Sequence, residues 1–113
     1  MMSLVTKIQK VAAALIPLSE NVYHYWRPRP DGVDQYIIWA EDSEEDSLNG
    51  DNKKLEQGLH GTIDLFSKNE FDPIIDQIQN AINGVENLSW RFNSSQYEDD
   101  TGLIHYEWEW FMR

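Results

Sequence analysis

The segment Leu103 to Arg113, LIHYEWEWFMR, constrains the fold more than any other stretch of this sequence. Read with period two, it separates into two sides. Ile104, Tyr106, Trp108, Trp110 and Met112 fall on one, and Leu103, His105, Glu107, Glu109 and Phe111 on the other. A strand sends alternate side chains to opposite faces, so this pattern predicts a β-strand with one face against a core. The tryptophan side is expected to pack beneath helices, each tryptophan contributing about 2–3 kcal/mol of burial. His105, Glu107 and Glu109 then face outward.

A strand of that kind needs neighbours and a covering layer, and the rest of the chain supplies both. At 113 residues, it has the length of a single domain spanning residues 1–113, able to bury roughly two thirds of its unfolded surface. Residues Leu4 to Leu15 predict an amphipathic helix with Leu4, Val5, Ile8, Val11, Ala12 and Leu15 on one face and Lys7, Gln9 and Lys10 off it. Ser3 caps it and Pro17 stops it. The opening MMSLVTKIQKVAAALIPL resembles a signal peptide faintly, but its lysines punctuate an amphipathic pattern, so it reads as a helix of the mature domain.

NVYHYW predicts a short aromatic strand, ended by a turn at RPRPDG. DQYIIWAED is nearly continuous in apolar residues, as expected of a strand covered on both faces. In KKLEQGLHGTIDLFSK, Leu55, Leu59, Ile63 and Leu65 share a face opposite Glu56, His60, Thr62 and Asp64. Gly58 and Gly61 there signal a bulge or the close approach of another backbone. These two strands predict a long hairpin with the acidic loop between them at its tip. EFDPIIDQIQNAINGVE predicts a second helix, with Asp72 as cap, Pro73 at the first helical position and Gly84 past the end. Phe71, Ile74, Ile75, Ile78 and Ile82 form its expected buried stripe. LSWRFNSSQYED predicts a strand interrupted at Asn93-Ser94-Ser95, and DDTG turns the chain into the terminal strand. The expected fold is α+β: an antiparallel β-sheet with two helices packed on one face, in the order α-β-β-β-α-β-β.

Charge narrows the function classes. Twenty acids against nine bases give a formal net charge of −11. Such a surface opposes sequence-specific nucleic-acid binding, which needs lysine and arginine to displace counterions, and repels anionic lipid. No apolar run approaches the ~20 residues that span a bilayer, so no membrane partner is expected. The absence of cysteine removes disulfides, thiolate ligands and cysteine nucleophiles. The acids concentrate in EDSEEDSLNGD, where Glu41, Asp42, Glu44, Glu45, Asp46 and Asp51 have no base among them.

The candidate chemistry is sparse. Glu107 and Glu109 stand about 7 Å apart on one strand face, near the spacing of an inverting glycosidase. That reaction also needs a protonated carboxyl in an apolar pocket and a sugar cleft, so the pair reads as a solvated strand face. His24, His60 and His105 sit on three predicted strands, with Asp64 and Glu107 near the latter two; strand histidines so placed could hold zinc. None has the spacing of a ligand pair, and no metal or other cofactor is expected. The asparagine and glutamine residues around Gln77, Gln79 and Asn80 read as the wet side of a helix. Phosphate-loop, nucleophile-elbow and calcium-loop patterns are absent. No catalytic residues emerge, and the chain reads as an interaction protein.

Four segments, VYHYWRP, YIIWAED, GTIDLFSKNEFDP and SQYEDDTGLIHYEWEW, resemble in order the tail-completion or tail-terminator proteins of long-tailed phages and prophages. The resemblance covers most of residues 22 to 110. It implies a non-enzymatic structural role in virion assembly, at the head–tail joint of the tail or neck, with subunits made in the cytoplasm of a bacterial host. It implies self-assembly as a ring, typically a hexamer, from a subunit that is monomeric when free, and as partners the tail-tube protein and a head-completion or connector protein. On this reading the tip, Glu44 to Lys53, is a loop that is disordered in the free subunit and orders against a ring neighbour or a tail protein. The expected interface takes in Glu44, Glu45, Asp46, Asp51, Lys53, Lys54, His105, Glu107 and Glu109. The terminal strand and the glycine-bearing strand would build the subunit interface or the lumen wall, where negative charge keeps passing DNA from sticking. The alternative is an acidic immunity protein, or a DNA mimic that inhibits a nuclease or DNA-binding protein.

Overall fold

The computed structural model describes residues 1–27 and 32–113. Helix α1 spans Leu4–Leu15, and a 3₁₀ turn, Ile16–Leu18, carries Pro17. Strands β1 (Val22–His24) and β2 (Gln35–Glu44) follow. A short ribbon of β3 (Leu48–Gly50) and β4 (Lys53–Glu56) leads into β5 (Leu59–Ser67). Helix α2 (Ile74–Asn83), β6 (Leu88–Glu98) and β7 (Leu103–Met112) complete the order. The main sheet runs β1-β2-β5-β7-β6, and β3-β4 forms a separate two-stranded sheet. The helices and main strands come in the expected α+β order. The expected turn at RPRPDG falls largely on residues 28–31, outside the described residues; Gly32, with φ +83°, has the backbone of a turn residue.

Both helices lie on one face of the main sheet. Val11 and Leu15 of α1 and Ile74, Ile78 and Ile82 of α2 meet Ile37, Trp39, Ile63, Leu65, Trp108, Trp110 and Met112 in one buried cluster. Trp108 and Trp110 are the largest fully buried side chains, as the alternation of LIHYEWEWFM predicts. Their indole N–H groups are satisfied: Trp108 Nε1 donates to Gln79 Oε1 at 3.0 Å and Trp110 Nε1 to the Thr62 carbonyl at 3.3 Å. Gln79 is therefore no mere solvated helix residue.

The caps act as expected from sequence. Ser3 Oγ accepts from Thr6 N at 3.1 Å, and Asp72 Oδ1 accepts from Ile74 N at 3.1 Å. Hydrogen bonds from Ser67, Gln35 and the Ile74 amide hold the Asp72 carboxyl below its ordinary 3.8, against a burial penalty that acts the other way.

Six expectations are corrected. Strand β1 runs parallel to β2, with Val22 opposite Ile37, so the sheet is mixed and not wholly antiparallel. The segment between them, Tyr25 to Asp34, is long enough to bring the chain back along so short a strand. Lys7, expected off the helix face, is 1% exposed and aligns with Val11 and Leu15 at four-residue spacing. Its aliphatic stem packs in the interior while Nζ donates to the Gln57 carbonyl, tying α1 to the junction of ribbon and β5. Val5 correspondingly turns outward. Phe71, expected in the stripe of α2, is 88% exposed, because its φ of +58° turns the chain before Asp72 and Pro73 start the helix.

The tip between Glu44 and Lys53 was expected to be a loop and is largely a folded ribbon. Gly50 pairs with Lys53, and the two residues between them, Asp51 and Asn52, have φ of +52° and +63°. That is the backbone of a type I′ hairpin, which Asp and Asn tolerate better than other residues with a side chain. Finally, KKLEQGLHGTIDLFSK is not one strand: it breaks at Gln57-Gly58, leaving Leu55 exposed on β4. Gly58 and Gly61 mark close approaches, as expected. A Cβ on Gly58 would lie 1.7 Å from the Glu45 carbonyl oxygen, and one on Gly61 would lie 2.2 Å from Trp110.

Candidate functional site

Among the described residues, no helix packs on the face of the sheet away from α1 and α2, and the strand register lays out its residues as rows. Tyr36, Phe66, His105 and Gln96 form one row; Ile38, Asp64, Glu107 and Ser94 form the next. Then come Ala40, Thr62, Glu109 and Arg91, and last Ser43, His60, Phe111 and Ser89.

The first row is a stack of π-systems across three strands. Tyr36 and Phe66 lie 4.6 Å apart at 15°, and Phe66 and His105 lie 4.2 Å apart at 18°. The Arg27 guanidinium closes the row at 4.1 Å from the Tyr36 ring centroid. Held in this way, His105 reaches the second row, where Nε2 meets Asp64 Oδ1 at 2.6 Å; on its other side Nδ1 lies 3.7 Å from Glu98 Oε2. Burial pushes the Asp64 carboxyl above its ordinary 3.8, opposed by the His105 hydrogen bond and reinforced by the charge of Glu107. Glu107 accepts from Asn93 Nδ2 at 3.0 Å. Asn93 is the unpaired residue of a bulge between Phe92 and Ser94, and a bulge of this kind re-aims a side chain.

The three histidines do not converge. His105 joins Asp64, whereas His60 Nδ1 meets Asp42 at 2.6 Å, and His24 Nε2 meets Glu41 at 2.7 Å. His60 lies six residues from Phe66 along β5, roughly 20 Å by strand rise. His24 stacks on Trp39, 4.1 Å away, on the helix side of the sheet. The three histidines therefore do not build one zinc site. Asp64, His105 and Glu107 do come together, with one ligand-capable atom from each within 4.8 Å of the others. The glycosidase geometry also fails: Asn93 takes up Glu107, and Arg91 Nε lies 3.6 Å from Glu109.

The expected interface residues divide into two groups. His105, Glu107 and Glu109 lie on the open face, while Glu44, Glu45, Asp46, Asp51, Lys53 and Lys54 lie on and beside the ribbon. A groove of about 320 Å³ bridges them, lined by Glu45 and Asp46 on one side and by Arg91, Glu109 and Phe111 on the other. Arg113 Nη2 donates to the Asp46 carbonyl at 2.7 Å, fastening the end of β7 to the base of the ribbon.

Three acids of the cluster, Glu41, Asp42 and Glu44, are paired within the chain. Glu41 accepts from the Tyr25 hydroxyl as well as meeting His24, and the Tyr25 hydroxyl is pushed up to about 12 by that bond to Glu41. Glu44 pairs with Lys54 Nζ and accepts from Gln57 Nε2 at 2.8 Å, which lowers its carboxyl from 4.5 to about 2. A lowered carboxyl stabilises the fold fully above its unfolded value of 4.5, and that contribution is lost as pH falls through about 2. Salt screens so exposed a pair and keeps its contribution small. In an NMR titration, Lys54→Met is expected to move Glu44 back up toward 4.5; an unchanged midpoint would show that Lys54 does not hold it.

Sequence reasoning missed Asn93, Tyr36, Phe66 and Glu98 as parts of this site. Period two placed Asp64 and His105 on the outer sides of their strands, but only the register sets them beside one another. The interruption seen at Asn93 was the visible trace of the bulge. Among the described residues, no helix is long and apolar enough to cross a membrane.

No protein-family model matches the chain, and no curated protein matches it in sequence. Among solved structures, the fold is similar to that of a chain in the virion of a native gene transfer agent particle, with a TM-score of 0.56 and 10% identity. The match covers 94% of this chain and 89% of that one, so at this identity the two share a fold over nearly their whole lengths.

Proposed function

We propose that the chain is a structural, non-enzymatic subunit of a phage-type virion, acting as a tail terminator or tail-completion protein at the head–tail joint by assembling into a ring. The observation that carries this reading is the end-to-end likeness of fold to a chain of a gene transfer agent virion. It agrees with the segment resemblance of the sequence, which points to the same class of particle. The surfaces suit assembly: β6 is an 11-residue edge strand whose side chains are mostly exposed, with Phe92 and Tyr97 among them. In the ring, taken as a hexamer, the open face with His105, Glu107 and Glu109 and the ribbon with Glu44, Glu45, Asp46, Asp51, Lys53 and Lys54 meet ring neighbours, the tail-tube protein or the connector.

The acidic-inhibitor reading is weakened by the internal pairing of Glu41, Asp42 and Glu44, which occupies carboxylates that a phosphate mimic would present. Native mass spectrometry of the protein with its tail-tube protein is expected to show ring-sized species that persist in high salt. A strict monomer indifferent to tubes would overturn the assembly reading. Tight low-salt capture of a nuclease, lost steeply as salt rises, would favour the inhibitor instead.

A further inference from the structure

We propose that Asp64, His105 and Glu107 form a binding site for a divalent transition-metal ion, zinc foremost, on the open face of the sheet. The inference is independent of any virion role. Asp64 and Glu107 are directly opposed on β5 and β7, and His105 is in the adjacent row of β7. Their three ligand-capable atoms already lie within 4.8 Å of one another. An imidazole nitrogen with two carboxylate oxygens is a donor set that zinc accepts, leaving further positions for water.

The geometry needs only side-chain movement. A tetrahedral ion bound at about 2.0–2.2 Å holds its ligand atoms roughly 3.3 Å apart. The 2.6 Å contact between His105 and Asp64 opens by less than an ångström. Glu107, whose ligand atom already lies within 4.8 Å of the other two, closes the remaining gap by rotation of its longer side chain. Zinc takes the Nε2 lone pair of the neutral imidazole, so the ring's single N–H sits on Nδ1, on the side of Glu98, and Asp64 turns its oxygen from the ring to the ion.

The surroundings are those of a metal site with oriented ligands. His105 is fixed in plane by its stack on Phe66, and its second nitrogen faces Glu98 at 3.7 Å, the carboxylate–histidine arrangement that orients a ligand ring. Glu107 is held by Asn93, which the β6 bulge delivers over it. Three carboxylates, those of Asp64, Glu98 and Glu107, thus surround one imidazole, and among the described residues no lysine or arginine contacts them. A doubly charged cation balances this half-buried negative group. The other histidine–carboxylate pairs, His24 with Glu41 and His60 with Asp42, gain no third ligand of this kind among the described residues.

Titration of zinc chloride into the whole protein by calorimetry tests the site. One equivalent is expected to bind, at least tenfold more weakly in His105→Gln and in Asp64→Asn, with His60→Gln unchanged. Asn93→Ala removes only a positioning contact and is expected to weaken binding about tenfold. The wild-type protein supplies a readout that no variant can confound: zinc should shift the imidazole ¹⁵N resonances of His105 and not those of His24 or His60. No saturable binding, or several equivalents binding equally in wild type and His105→Gln, would overturn the site and leave His105–Asp64 as a hydrogen-bonded pair only. So would zinc-induced shifts spread over all three histidines.

Discussion

Trp108→Ala is expected to destabilise the protein by about 3–5 kcal/mol, the range for removing a large aromatic side chain from a packed core. Trp108 is 0% exposed and stands on β7, between Ile63 on β5 and Phe92 on the edge strand β6. Its indole fills the space beneath α2 and its N–H donates to Gln79, so truncation leaves both a cavity and an unpaired amide oxygen. Domains of this size are stable by only about 5–15 kcal/mol, so the loss takes a large share of the total. Urea unfolding followed by tryptophan fluorescence checks it: the midpoint should fall sharply while the slope stays constant. A change below about 1 kcal/mol would mean that α2 does not depend on this contact.

Gly61→Ala should cost about 3 kcal/mol or more, from the opposite cause. A Cβ there would lie 2.2 Å from Trp110 Cζ2 and 2.3 Å from the Ala40 carbonyl oxygen. The indole is fully buried and the carbonyl belongs to the neighbouring strand, so neither withdraws cheaply, and overpacking is strained in such a site. Gly84→Ala provides the control. Its Cβ would meet nothing closer than 3.5 Å, and the residue sits at φ −85°, so it should alter stability by no more than about 0.5 kcal/mol. Thermal unfolding of the two variants side by side separates close approach from loss of glycine as such. Equal effects would remove the steric account.

The two substitutions probe neighbouring rows on the helix side of the sheet, since Gly61 lies opposite Trp110 and Ile63 opposite Trp108. The two pairs explain why a tryptophan-rich strand needs a glycine-bearing neighbour. Two large indoles on alternate positions of β7 leave room for a side chain beside Trp108 and none beside Trp110. Gly61 is the residue that makes the second position fit.

The open face follows the same logic with polar groups. β7 presents His105 and Glu107 there because Trp108 and Trp110 take the other side, and β5 presents Asp64 because Ile63 and Leu65 do the same. Each of these sides was legible from alternation. The pairing of Asp64 with His105 was not, because a strand's own pattern says nothing of which strand lies beside it or in what register. Asn93 shows the limit from the other direction: its break in pattern was visible, while the partner it was aimed at was not.

Local sequence thus determined the helices, their caps, the two tryptophans in the core and the outward side of β7, since these depend on periodicity and on bonds between near neighbours. The tertiary structure decided the parallel pairing of β1, the burial of Lys7 and the exposure of Phe71. It also decided the assembly of Asp64, His105, Glu107 and Asn93 into one cluster. Lys7 illustrates the physical reason: a lysine is buried only when a distant carbonyl, here that of Gln57, waits to receive its ammonium group.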